Sequence, residues 1–282
     1  MATVDRAKRE LRFARVALEE LGAAPIAEVA ERLADAVPAI GQASFALVDS
    51  PRWPRDLDWT RGAFRRDPAP AARKVDAVMR AVYRALVAEG GGSDGAHPRS
   101  HPPRPLSMFP TPPLEYFERC GRDPRCKPHL AAISRELFGA LVDRASGSAV
   151  SPVSGGAIFT RFMLAGFATY RALERLGVAA FESYPYLQFR LCAPSKKLPP
   201  KRMRTAALDV RRHLLAQIAA ELGLCMANWE LTLDQADAAI LALAAARAAR
   251  RGVLAATGNP AEGRFIFALD TVQARKLGLG RA

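Results

Sequence analysis

Hydrophobic residues recur every three or four positions in several segments of the chain, and this spacing predicts amphipathic helices. In residues 25–37, for example, Ile26, Val29 and Leu33 fall on one face of such a helix. The same spacing predicts further helices at residues 71–88, 130–145, 157–177, about 205–222 and about 233–251.

Short apolar runs between these helices predict strands. Asp49 follows the run FALV (45–48), Glu182 follows the run VAAF (178–181), and GRFIFAL (263–269) supplies a closing strand. Strands that alternate with helices are typical of a layered α/β domain. An α/β fold is therefore the class that the pattern predicts.

The first 21 residues fit two different structures. The segment RAKRELRFARVALEEL (6–21) consists of good helix formers, which favours a helix. The same residues also fit a β-hairpin, with Lys8, Arg9 and Glu10 at the turn and LRFARVAL (11–18) as the second strand. The pattern alone leaves both structures open.

The composition is that of a globular protein. Half of the 282 residues are hydrophobic and 24% are charged, which excludes a chain that is disordered throughout. The longest strictly apolar run, residues 238–246, is shorter than the roughly 20 residues that a membrane-spanning helix needs. The start, MATVDRAKRE, lacks the apolar core of a signal peptide, and four cysteines do not make a disulfide scaffold. We expect a reduced, cytoplasmic protein without a membrane partner.

The length permits one large domain or two small ones, at roughly 150 residues per domain. We predict a single domain over residues 1–282. A segment rich in glycine, proline and histidine interrupts it at about residues 89–106, and we expect this segment to be a mobile loop.

The charge of the chain is strongly positive, with 41 Lys and Arg against 28 Asp and Glu and a formal net charge of +13. Such an excess predicts a polyanionic partner, nucleic acid first. Compositional bias is the alternative, because only seven of the basic residues are lysine and the chain is rich in alanine. Two basic clusters, residues 52–84 and 194–212, favour phosphate contacts. The candidates to follow a nucleic-acid backbone are Lys196, Lys197, Arg202 and Arg204.

Acidic residues follow two of the predicted strands. In an open α/β sheet, ligands bind beyond the carboxyl ends of the strands. If the strands that precede Asp49 and Glu182 are parallel neighbours, both carboxylates reach one crevice. Asp49 also has a structural explanation, as an ordinary turn residue before Ser50-Pro51.

Two further acids open the last long helix. Thr232 and Gln235 match the capping-box pattern, so Thr232 is the predicted N-cap. Asp234 and Asp237 then lie on one face of the first turns, next to an apolar run that we expect to pack on the sheet. Asp234 also fits a structural role, because an acid near a helix N-terminus complements the helix dipole.

Converging carboxylates repel one another, and divalent cations can neutralise them. Hard oxygen ligands suit Mg²⁺ or Mn²⁺. A pair of such ions can clamp the attacking and leaving oxygens of a phosphodiester. The pattern therefore predicts a metal-dependent nuclease that uses a two-metal mechanism. Its catalytic residues are Asp49, Glu182 and Asp237, and the same three with Asp234 are the metal ligands.

Six short motifs in order carry a resemblance to a known family: VDSP (48–51), MFPTPP (108–113), FMLAGFATYRAL (162–173), FESYP (181–185), DQADAAILALAAA (234–246) and NPAEGRFIF (259–267). Over roughly residues 40–270 the chain resembles an uncharacterised family of predicted RNase H-like nucleases. The resemblance implies a mixed sheet flanked by helices. It also implies that the acids of the VDSP, FESYP and DQADA motifs are the metal ligands, namely Asp49, Glu182, Asp234 and Asp237.

The chain departs from that family at its start. The family begins with a strand that carries a GxD motif, whereas ATVDRAKRELRFARV resembles the second and third strands. We expect a form without the N-terminal strand, and Asp5 is a possible substitute for the missing aspartate. A form with an incomplete metal site leaves an alternative function open, that of a non-catalytic nucleic-acid-binding or assembly module.

Other signals are weaker. Cys120, Cys126 and His129 are zinc-ligand types, but their spacing is not a standard one and a fourth ligand is missing. Motifs of the common hydrolase, dinucleotide-binding and P-loop classes are absent from the sequence. Tyr184, Tyr186 and Phe189 fit either base stacking or core packing. DNA and RNA both stay open as partners, and so does the oligomeric state.

Overall fold

The computed structural model describes residues 1–5, 9–43, 45–50, 52, 117, 127–138, 156–192, 198–224, 230–251, 254–257 and 265–268. Its helices are α1 (Pro25–Ala36), α2 (Pro128–Phe138), α3 (Gly156–Arg175), α4 (Pro185–Cys192), α5 (Arg204–Leu222) and α6 (Leu233–Arg251), with one 3₁₀ turn at Ile40–Gln42. Its strands are β1 (Ala2–Asp5), β2 (Glu10–Phe13), β3 (Ala46–Val48), β4 (Ala180–Glu182), β5 (Leu254–Thr257) and β6 (Phe265–Ala268).

The chain begins with a β-hairpin, so the helical alternative for the first residues is wrong. Strands β1 and β2 pair antiparallel with Ala2 opposite Phe13 and Val4 opposite Leu11. This register puts all four side chains on one face, where they contact the hydrophobic cluster built around α5 and α6. Burial of this face outweighs the helix propensity of the segment. The second strand ends at Phe13, earlier than the predicted residue 18.

A mixed sheet of four strands lies beside the helices, in the order β3-β4-β6-β5. Strand β4 is parallel to both β3 and β6, and β5 is antiparallel to β6. The predicted α/β fold class is therefore confirmed. Within the described residues the hairpin forms a sheet of its own, separate from the mixed sheet.

Helices pack on both sides of the mixed sheet, through two hydrophobic clusters. One cluster combines α1, α2 and α3, and Val48 of β3 packs against it. The other combines the hairpin with α4, α5 and α6, and α6 also contacts β3 and β6. The segment that follows β3 is therefore held between α3 on one side and α6 on the other.

Most of the helices that fall in described residues begin or end within a few positions of the prediction. The exception is α4, which begins at Pro185 directly after β4. Proline suits the first position of a helix because its missing N–H has no intrahelical partner there. The predicted helix at 71–88 and the predicted loop at 89–106 lie outside the described residues. None of the helices in the described residues is long and apolar enough to cross a membrane.

Candidate active site

The capping box at the start of α6 forms as predicted. The Thr232 N–H donates to Gln235 Oε1 at 2.8 Å, and the Gln235 N–H donates to Thr232 Oγ1 at 3.2 Å. This reciprocal pair fixes the residue at which the helix begins. Asp234 and Asp237 consequently lie one turn apart on the same face, with Asp234 exposed and Asp237 buried.

Asp49 lies within the electrostatic range of both helix acids. It follows the last residue of β3, and α6 packs against that strand. The pKa of Asp49 is raised to about 7 by burial first and by the negative charges of Asp237 and Asp234, against the opposing effect of Lys201. Two mechanisms thus act together on one carboxyl, removal from water and repulsion by like charges.

Lys201 neutralises the helix acids directly. Its ammonium Nζ lies 2.5 Å from Asp237 Oδ2 and 3.9 Å from Asp234 Oδ1. The lysine belongs to the segment between α4 and α5, and about half of its side chain is exposed. Lys201 belongs to the basic cluster at residues 194–212, which we predicted to contact phosphate. In the structure its ammonium instead pairs with Asp234 and Asp237 of α6.

Arg211 of α5 is a second cation beside Asp237. Its Nε lies 3.7 Å from Asp237 Oδ1, which is ion-pair distance but too long for a hydrogen bond. The guanidinium is 2% exposed, donates to the carbonyl of Ala207 at 3.0 Å and stacks over the ring of Phe189 at 5.5 Å. Burial lowers the pKa of Arg211, and the neighbouring Asp237 opposes this effect. Arg211 is therefore a fixed part of the site.

Glu182 contacts the turn that carries Asp49. It is in register with Val48, and residues opposite one another on neighbouring strands share a face. That face packs on α3, and the buried Glu182 carboxylate accepts a 2.6 Å hydrogen bond from the Arg52 N–H. Of the four predicted ligands, Asp237 and Asp234 act electrostatically on Asp49, whereas Glu182 contacts the backbone of the turn that follows Asp49.

The turn that carries Asp49 is anchored on α3. The Tyr170 hydroxyl donates to the Ser50 carbonyl at 3.0 Å, and the Arg52 guanidinium binds Glu174 at 2.5 Å. Gly166 permits this close approach, since a Cβ at that position would lie 2.0 Å from Ser50 Oγ. These contacts fix the direction in which Asp49 leaves β3.

Two of the predicted nucleic-acid contacts are exposed at the start of α5. Arg202 and Arg204 flank Met203, whose side chain is 54% exposed. The first turn of α5 carries no acid, and its N-cap makes no side-chain hydrogen bond, so the helix dipole adds to the positive charge. The other two predicted contacts, Lys196 and Lys197, lie outside the described residues.

The remaining candidate residues separate into core and surface. Phe189 is fully buried, which confirms core packing for that ring. Tyr184 and Tyr186 are partly exposed and lie 6.1 Å apart, measured between ring centroids. His129 is buried in α2, whereas the two cysteines predicted with it lie outside the described residues. Asp5 ends β1, in the hairpin sheet.

The donor chemistry of the Asp49 and Asp237 pair suits a hard divalent cation. The described residues contain no group of three His, Cys, Asp or Glu side chains that could hold a metal ion. Mg²⁺ does not require three such side chains. It commonly binds through one or two carboxylates and fills its remaining coordination positions with water and substrate phosphate. The raised pKa of Asp49 reflects its burial first and the negative charge of Asp237 second.

Comparison with family models, with curated proteins and with solved structures finds no match for this chain.

Proposed function

We propose that this chain is a nuclease that depends on Mg²⁺ or Mn²⁺, with Asp49 and Asp237 as its metal-holding carboxylates. The observation that carries the proposal is the position of Asp49 directly after β3, the strand against which α6 with its acids Asp234 and Asp237 packs. Burial and repulsion by Asp237 raise the pKa of Asp49 to about 7, which fits this arrangement. Carboxyls perturbed both by burial and by a specific charged neighbour are concentrated at functional sites.

Asp49 and Asp237 hold the ion in this proposal. Asp234 is exposed one helical turn before Asp237, where it adds negative charge to the site. A bound divalent cation supplies Lewis-acid activation of water and stabilises charge on the phosphodiester oxygens. Arg211 provides a fixed positive charge beside Asp237, because its guanidinium is buried with Nε 3.7 Å from Asp237 Oδ1. Glu182 serves in this proposal as an anchor for the Asp49 turn, not as a ligand.

Nucleic acid is the substrate class that the charge supports. The chain carries a formal charge of +13, and the exposed Arg202 and Arg204 lie on the same segment as Lys201, which contacts the helix acids. A phosphate backbone that follows these arginines passes close to Asp237. Exposed Met203, between the two arginines, offers an apolar contact to a base or sugar.

Cleavage assays test the proposal. The purified protein is incubated with single-stranded, duplex and hybrid substrates in Mg²⁺, in Mn²⁺ and in chelator. We expect cleavage that the chelator abolishes and that Asp237→Asn removes. Asp35→Asn is the matched control, because Asp35 is an exposed aspartate on α1 and its substitution changes the net charge equally. Equal cleavage by wild type and Asp237→Asn contradicts the proposal.

A non-catalytic nucleic-acid-binding or assembly module is the second candidate. The ion pair between Lys201 and Asp237 favours it, since a neutralised acid has less need of a metal. This function predicts salt-sensitive binding of nucleic acid without cleavage, and the binding is insensitive to Asp237→Asn. The same set of assays therefore separates the two candidates.

A further inference from the structure

A hollow of about 500 Å³ lies where the N-terminal hairpin meets the C-terminal ends of α5 and α6. Val4 and Arg9 of the hairpin, Glu221 at the end of α5 and Arg250 near the end of α6 contribute to its walls. Pockets that bind small organic molecules have volumes of about 300–1,000 Å³, so the hollow is large enough for such a ligand. The carboxylates and the arginines of the proposed nuclease site are not among the residues that line it.

The backbone acceptors at the end of α5 are engaged within the protein. Gly223 has a φ of 71°, and the N–H groups of Gly223 and Leu224 donate to carbonyls of the last helical turn at 3.0 and 2.9 Å. The Arg250 guanidinium donates to the carbonyl of Glu221. These contacts compensate the partial negative charge of the helix end, which would otherwise repel an anion.

The charged side chains around the hollow leave a positive excess. Glu221 is the one acid that lines it in the described part of the chain, and its Oε2 lies 3.3 Å from the Nε of Arg247. Arg9 and Arg250 are exposed, and neither forms an ion pair with an acid among the described residues. Within those residues Arg250 donates only through Nη1, so its Nε and Nη2 are available to a ligand. The groups that the hollow offers to a ligand are therefore cationic donors.

Arg9 lies in the hairpin turn in a backbone conformation that arginine rarely adopts. Its φ is 54°, and no other non-glycine residue in the described ranges has a positive φ. Glycine adopts this conformation without the steric cost that a Cβ brings, and strained residues are concentrated at functional sites. Because glycine would suit the turn better, the presence of arginine indicates a role for its side chain.

We infer that the hollow is a binding site for a small phosphomonoester, whose phosphate interacts with the guanidinium groups of Arg9 and Arg250. Guanidinium donors match the oxygens of a phosphate in geometry as well as in charge. Two positive groups also match a phosphate dianion better than the single charge of a carboxylate. The organic part of the ligand then lies against the aliphatic side chains of Val4, Leu222 and Leu224, which line the same hollow.

The inferred site does not depend on the proposed nuclease function. Arg202 and Arg204 lie at the start of α5 and the hollow lies at its end, and a helix of 19 residues is about 28 Å long. Loss of ligand binding at the hollow and loss of cleavage are therefore separate outcomes.

Titration calorimetry with phenyl phosphate tests the inference at about pH 8, where the phosphate is a dianion. Inorganic phosphate and benzoate are the comparison ligands. We expect phenyl phosphate to bind at least roughly fivefold more tightly than either, because it alone combines a dianion with an apolar group. Equal or tighter binding of benzoate or of inorganic phosphate contradicts the assigned class of ligand. Wild-type protein that does not bind phenyl phosphate refutes the site.

Arg9→Gly separates a role in binding from a role in the turn. The substitution removes one guanidinium and relieves the left-handed conformation. We therefore expect at least roughly tenfold weaker binding of phenyl phosphate, with an equal or higher melting temperature. Arg250→Met is expected to weaken binding to a similar extent. Arg175→Met is the matched control, because Arg175 is exposed at the end of α3 and its loss changes the net charge equally.

Two results with the variants overturn the inference. Equal affinity of wild type, Arg9→Gly and Arg175→Met for phenyl phosphate places the ligand elsewhere on the protein. A loss in Arg175→Met as large as in Arg9→Gly shows that net charge alone attracts the ligand. Arg250→Met also loses the hydrogen bond to the Glu221 carbonyl, so Arg9→Gly decides if that variant does not fold.

Discussion

Glu182 accepts a 2.6 Å hydrogen bond from the backbone N–H of Arg52, and this bond ties the end of β4 to the turn that carries Asp49. The carboxylate is 4% exposed, so its contact with the turn is shielded from water. A hydrogen bond to a charged group contributes about 1.5–3 kcal/mol. Glu182 therefore anchors the turn that follows Asp49.

The anchoring role of Glu182 predicts different effects for two substitutions. Glu182→Ala leaves the Arg52 N–H without its acceptor and is expected to lower the free energy of unfolding by about 1.5–3 kcal/mol. Glu182→Gln keeps a carbonyl oxygen and is expected to retain Mn²⁺ affinity close to that of wild type. Denaturant unfolding and calorimetry measure the two quantities. A loss of Mn²⁺ affinity in Glu182→Gln as large as in Asp237→Asn makes Glu182 a ligand after all.

The raised pKa of Asp49 predicts a pH dependence of stability in the metal-free protein. The carboxyl titrates near 3.8 when unfolded and at about 7 when folded, so between these values the native state binds more protons. The contribution of Asp49 to the free energy of unfolding is consequently present below about pH 4 and is lost as the pH rises through 7, by at most about 4 kcal/mol.

Asp49→Asn isolates this contribution. We expect the variant to be more stable than wild type at about pH 8 and to lose that advantage as the pH falls toward 4, because the asparagine carries no charge to repel Asp237. Denaturant unfolding in chelator at several pH values provides the measurement, with Asp35→Asn as the control. A constant difference in stability between Asp49→Asn and wild type across that range contradicts the assigned electrostatics.

The close approach of Gly166 to Ser50 predicts a specific steric effect. Gly166→Ala places a Cβ 2.0 Å from Ser50 Oγ and 2.3 Å from Ser50 Cβ, so the turn must shift. We expect a loss of about 1–3 kcal/mol in the free energy of unfolding and a weaker Mn²⁺ site. Gly41→Ala is the matched control, since its nearest contact would lie at 3.9 Å.

Removal of the clash gives a second check on the same contact. Ser50→Gly deletes both of the atoms that the new methyl group would meet, so the double variant Ser50→Gly with Gly166→Ala is expected to recover part of the lost stability. Identical losses in the single Gly166→Ala variant and in the double variant show that the cost arises elsewhere.

The exposed arginines at the start of α5 predict a salt-dependent effect. Arg202→Met with Arg204→Met is expected to weaken nucleic-acid binding and to reduce the slope of log affinity against log salt by about 2 or slightly less. Mn²⁺ affinity is expected to stay unchanged, because within the described residues the ion pairs of Asp234 and Asp237 are with Lys201 and Arg211 and not with these arginines. Lys127→Met with Arg175→Met removes equal charge from other exposed positions. If the control pair reduces the slope equally, Arg202 and Arg204 contribute to binding only through the net charge of the protein.

Local patterns in the sequence were sufficient for some parts of the site. Thr232 and Gln235 form the capping box because both partners lie within one turn, and their position fixes Asp234 and Asp237 on the same face. The parallel pairing of the strands before Asp49 and Glu182 was also anticipated as a condition for the site. Both features depend on residues close together in the chain or on a simple rule of sheet topology.

Other parts depend on long-range contacts that a pattern does not contain. The face that Glu182 presents is decided by register, since a shift of one residue between β3 and β4 exchanges the two faces. The hairpin forms because its apolar face is buried against α5 and α6, a contact that local propensity does not include. Lys201 reaches Asp237 across 36 positions in the chain, so a basic cluster alone did not identify its partner.

In the proposed site, Asp49 and Asp237 hold one divalent cation together. The most direct test is calorimetric titration of Mn²⁺ into wild type, Asp49→Asn, Asp237→Asn and the control Asp35→Asn, without nucleic acid and at about pH 8. We expect each of the first two substitutions to weaken binding by at least roughly tenfold, whereas Asp35→Asn binds like wild type. Equal affinity in all four proteins would show that Asp49 and Asp237 do not bind the cation.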